Sequence, residues 1–215
     1  MAKKKQSRYD IMVLIKNEVT LMYKIFWSHV FALGIILSIT FFHADSNGLM
    51  NDVLFSLLTV EMGFFFFYFK HTVLRVAAFV LWCFFYPNNL NVLFSVADRS
   101  WATSVLWSAD GMTSFMIYLA VLVFSLVAGT LSLRMILKPL KLNQYIQVFF
   151  VMGVAFFASL LFQVLRTLGI TWKVIINQHL NIFEEAAKAL STINMPFILG
   201  LMVVQVMMFV VLDND

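Results

Sequence analysis

The chain has 215 residues, of which 62% are apolar, 16% aromatic and only 12% charged. Its mean hydropathy is +0.90. A soluble domain carries about 25% charged residues to cover its surface, so a water-soluble fold is excluded, and the same numbers exclude a disordered chain. What remains is an all-α, polytopic helical membrane bundle, in which runs of about 20 apolar residues cross the bilayer. The formal charge of +4 then has to be read first as a matter of topology.

The chain opens Met1-Ala-Lys-Lys-Lys-Gln-Ser-Arg8. That charge would suit the start of a signal peptide, but the apolar run Ile11 to Ile15 is cut by Lys16, Asn17 and Glu18. No small-residue cleavage site follows, so a retained first span is expected. Residues 1–24 read as a basic cytoplasmic segment. Within it, Asp10, Lys16, Asn17, Thr20 and Lys24 share one helical arc of roughly 120°, as in an interfacial helix. Residues 25–215 form one membrane domain. Its expected spans are about 25–42, 53–69, 76–97, 113–133, 146–165 and 195–212. The second contains Glu61, the third Pro87-Asn-Asn89, and the sixth starts at Pro196, a good first-turn residue.

Six spans with both ends in the cytoplasm place 11 of the 15 basic residues inside: Lys3, Lys4, Lys5, Arg8, Lys16, Lys24, Lys70, Arg75, Arg134, Lys138 and Lys141. This agrees with the positive-inside rule. Removing the second and third spans gives a four-span alternative with a weaker charge bias. The compact loops suggest a bacterial inner membrane.

One element outside these spans is patterned. From Trp172 to Ile193 the apolar positions recur at spacings of three and four. Trp172, Ile175, Ile182, Phe183, Ala186 and Leu190 form the stripe, with His179 among them. Such a helix would be about 33 Å long. It must bury its stripe against the membrane, its own bundle or a partner protein, so these seven residues are the candidate docking set.

Candidate chemistry is sparse. Glu61 is the one clear carboxylate inside an expected span, and intramembrane ionisable groups are costly and often mark ion paths or partner contacts. Gln163 and Gln205 are membrane-depth amides suited to interhelical hydrogen bonds. Arg166 at the outer end of the fifth span suits a snorkelling side chain. His29 and His43 flank the first span, but they do not form the facing pairs a haem needs. No His/Cys/Asp/Glu cluster has zinc spacing, and neither Gly-x-Ser-x-Gly nor His-Glu-x-x-His occurs. The expected cofactor complement is therefore none, and no catalytic or metal residue is nominated. Scattered glycines and short basic loops give no nucleic-acid site.

Two functions fit. One is a non-enzymatic subunit of a multi-protein membrane assembly, such as a bacterial secretion, conjugative-transfer or envelope system. It would have lipid and other membrane proteins as its partners. The other is a small transporter or channel subunit with Glu61, Gln163, Arg166 and Gln205 near the path.

Overall fold

Nothing in the first forty residues stops a helix, since the stretch has no proline and one glycine, Gly34. In the computed structural model, which describes residues 2–43, 48–93, 107–167 and 193–212 (the backbone alone for 2–18), helix α1 runs unbroken over Ala2–Phe41. Its length is about 60 Å. The interfacial segment and the first span are thus one helix, not two. The stretch apolar enough to cross a membrane is Val19–Phe41.

Helix α2 (Leu49–Tyr68) begins after Gly48, whose φ of 107° lies in the region glycine alone enters freely. The Asp52 N–H bonds back to the Gly48 carbonyl at 3.1 Å. A carboxylate suits this first turn, where helix dipoles leave partial positive charge. The span therefore starts a turn earlier than residue 53, and Asp52 is inside the helix, buried. Helix α3 (Thr72–Phe85) tightens into a 3-10 turn over Tyr86–Leu90. Pro87 there removes an N–H that an α-helix would use. The helical run continues, and Thr72–Leu93 is long and apolar enough to cross.

Helix α4 (Ala109–Leu137) is capped by Ser108, whose Oγ accepts from the Gly111 N–H at 3.1 Å. A 3-10 turn, Lys138–Leu140, ends it. Helices α5 (Gln144–Thr167) and α6 (Met195–Leu212) complete the set. The described residues contain six helices of spanning length and composition and no strand. Both runs that a four-span reading would discard qualify as spans. The expected amphipathic helix at 172–193, with Trp172, Ile175, His179, Ile182, Phe183, Ala186 and Leu190, lies outside the described residues.

The bundle is built around α4. Its most extensive partner is α2, and the seam between them is made of small residues. Ser56 Oγ donates to Ser125 Oγ at 2.8 Å. A Cβ built on Gly63 would stand 3.0 Å from the Ser132 carbonyl oxygen. Small side chains let helix backbones approach in this way, and close approach is what holds helices together in lipid. The largest apolar cluster joins α3, α4, α5 and α6 through Trp82, Ile136, Val151, Phe162 and Leu201. Helix α1 lies on α2 and α4 but is only 11% buried over its best window, against 56% for α4. Its Phe26, Phe31, Leu33 and Leu37 are exposed, an apolar face that the described residues leave uncovered.

Candidate functional site

Two polar side chains that the sequence places in different spans meet in the structure. His29 on α1 and Glu61 on α2 are joined by a 2.9 Å contact between Nε2 and Oε1. The other ring nitrogen, Nδ1, lies 2.9 Å from the Ile25 carbonyl oxygen. A carbonyl can only accept, so Nδ1 carries a hydrogen. The Nε2 to Oε1 contact then needs one further proton, held by the imidazole or by the carboxyl group. Either way the pair is neutral overall and holds one shared proton. Both residues lie at comparable depth from the same end of the bundle. His29 is about 8 Å of helix rise from Lys24, and Glu61 about 11 Å from Tyr68.

The described residues do not enclose the pair. The side chains retain 45% and 31% of their accessible surface. A neutral, internally bonded pair costs far less at this depth than an isolated charge. It still presents polar atoms where the surrounding helix faces are apolar.

A second polar cluster lies where α2 meets the end of α3. Asn91 Nδ2 donates to Asp52 Oδ1 at 2.9 Å, and Tyr118 on α4 donates its hydroxyl to the Val92 carbonyl. Asn89, 4% exposed, has neither amide atom bonded to a described residue. With Gln205, Ser125 and Thr130 it lines a cavity of about 20 Å³, the size of a single water.

The other expected residues are dispersed. Gln205 on α6 bonds to α5, its Nε2 lying 2.9 Å from Ser159 Oγ and 3.2 Å from the Ala155 carbonyl. It is the interhelical amide that its depth suggests. Gln163 is half-buried on α5, with its Oε1 enclosed and not bonded to a described group. Arg166 is exposed near the end of α5. None of the cavities in the bundle described here is lined by Glu61 together with Gln163, Arg166 or Gln205. Among the described residues, no three His, Cys, Asp or Glu side chains stand close enough to hold a metal.

Sequence reasoning singled out Glu61 and passed over its partner. In the sequence His29 suggests only a haem ligand, and an unsupported one. The available signal was depth, since two ionisable residues at similar distance from the basic end of adjacent spans can meet. Asp52 precedes the apolar run of the second span and Asn89 sits beside Pro87, so neither stands out in the sequence as a buried polar group of the bundle.

Fold and site together define a class, a multi-pass integral membrane protein in contact with lipid. No protein family, curated protein or solved structure matches the chain.

Proposed function

We propose that this protein is a non-enzymatic subunit of a multi-protein assembly in a bacterial inner membrane, with both ends of the six-helix unit toward the cytoplasm. The carrying observation is the His29–Glu61 pair, half-exposed at apolar depth. Polar groups inside a membrane normally face a bundle interior or a water-filled cavity. Here a helix of another subunit would supply that interior, covering the pair where α1 and α2 leave it open. The orientation rests on the positive-inside rule.

The test is photo-crosslinking in native membranes from positions 26 and 33, which are exposed and lie three and four residues from His29. The expected result is a discrete adduct with a second membrane protein that survives Glu61→Gln, which keeps a polar contact, and is lost in Glu61→Leu. Adducts with lipid alone would overturn the reading.

The shared proton supports a second reading, a proton or ion path through Glu61. In that case Glu61→Gln would abolish a proton-dependent flux in vesicles. An unchanged flux would exclude it.

A further inference from the structure

We propose that the groove between α1 and α4 is a binding site for one anionic phospholipid. The groove has a volume of about 600 Å³ and is walled by Tyr23, Trp27 and Phe31 of α1 and by Val127 and Leu131 of α4, with Leu212 of α6 at its edge. Lys24 and Arg134 stand at one end of it. A smaller crevice shares Lys24, Leu131 and Arg134 with the groove and adds Lys138. Three basic side chains therefore converge where the two cavities join, and no described residue lining either is acidic.

Geometry and charge select the same occupant. From Lys24 to Phe31, and from Arg134 to Val127, each helix rises about 11 Å. That is most of one leaflet of a hydrocarbon core about 30 Å thick. A phosphodiester at the Lys24–Arg134–Lys138 end leaves its acyl chain along the aromatic wall. Basic pockets between membrane helices on the cytoplasmic side recognise acidic headgroups in this manner. A free phosphate would use the charged end and leave the apolar groove without a purpose. A zwitterionic lipid would fill the groove but bring no net negative charge to its basic end. The site is separate from the His29–Glu61 pair and does not depend on the assembly reading.

Trp27 lines the groove and reports directly on what enters it. The full chain is reconstituted in phosphatidylcholine vesicles doped with phosphatidylglycerol or phosphatidylcholine brominated on the acyl chains. The Trp27 signal is the part of the tryptophan quenching that Trp27→Phe removes. The expected result is half-maximal quenching by the brominated phosphatidylglycerol at a far lower mole fraction. Each basic residue near a membrane surface contributes about fivefold in affinity for acidic lipid. Lys24→Gln and Lys138→Gln should therefore each reduce the preference about fivefold, with Lys24→Arg restoring it. Both lysines are exposed, so these variants leave the fold intact, which circular dichroism checks. Equal quenching by the two lipids would overturn the proposal, as would no Trp27 quenching by either. Displacement by inorganic phosphate, beyond the effect of chloride at equal ionic strength, would also overturn it. So would quenching that emerges only in Asp213→Asn/Asp215→Asn, because the chain's own acidic end would then be the occupant.

Discussion

At Gly63 the absence of a side chain carries the largest local consequence. A methyl there would meet Ser132 backbone atoms at 3.0 and 3.1 Å, and backbone cannot rotate aside. Gly63→Ala should cost about 1–3 kcal/mol, the range for overpacking a tight contact. Reversible unfolding in denaturing detergent would measure it. Gly153→Ala is the matched control, because a Cβ there meets nothing within 4 Å. It should be neutral or slightly stabilising, since alanine favours helix over glycine. A loss of stability at 153 equal to that at 63 would show that the α2–α4 seam is not the tight contact. Gln205→Leu removes an amide bonded between helices. Such bonds are worth about 0.6 kcal/mol on average and up to about 1.7 in a membrane, so only a modest loss is expected. A loss several times larger would mean that Gln205 does more than join α5 to α6.

At the scale of elements, apolar run length carries most of the information. All six spans are visible in it, because a chain in lipid must satisfy its backbone within each helix. The break at Pro87 is visible too, since proline acts locally. Span ends are less visible. A run cut at the first charge starts α2 at residue 53, yet the helix starts at Leu49 because Gly48 turns the chain and Asp52 suits a first turn. Which face of a helix meets which neighbour is not local information. Glu61 stands out as a carboxylate in an apolar run, but its bond to His29 depends on how α1 and α2 are rotated against each other. The same holds for Ser56 with Ser125, 69 residues apart in sequence.

The whole molecule makes a topological prediction. With six spans, Lys70 and Lys141 face one side and Trp107 the other. With four, Lys70 and Trp107 share a side. All three are exposed. Single cysteines at these positions, in a Cys83→Ser background, should react with an impermeant thiol reagent from opposite sides in the pattern of six spans. Labelling of positions 70 and 107 from the same side would overturn the six-span topology.

The uneven sequence distance of α2's contacts has a consequence for biosynthesis. Chains are made at about 5–20 residues per second, so α2 is finished roughly 3–14 s before the end of α4 emerges. During that interval the tight seam at Ser56 and Gly63 has no partner. The two carboxylates of α2 are in a different position. Glu61 bonds to His29, already synthesised, and Asp52 bonds to Asn91, which leaves the ribosome ahead of α4. The acidic groups can thus be neutralised or bonded by early neighbours, and the late-arriving helix has only close packing left to complete.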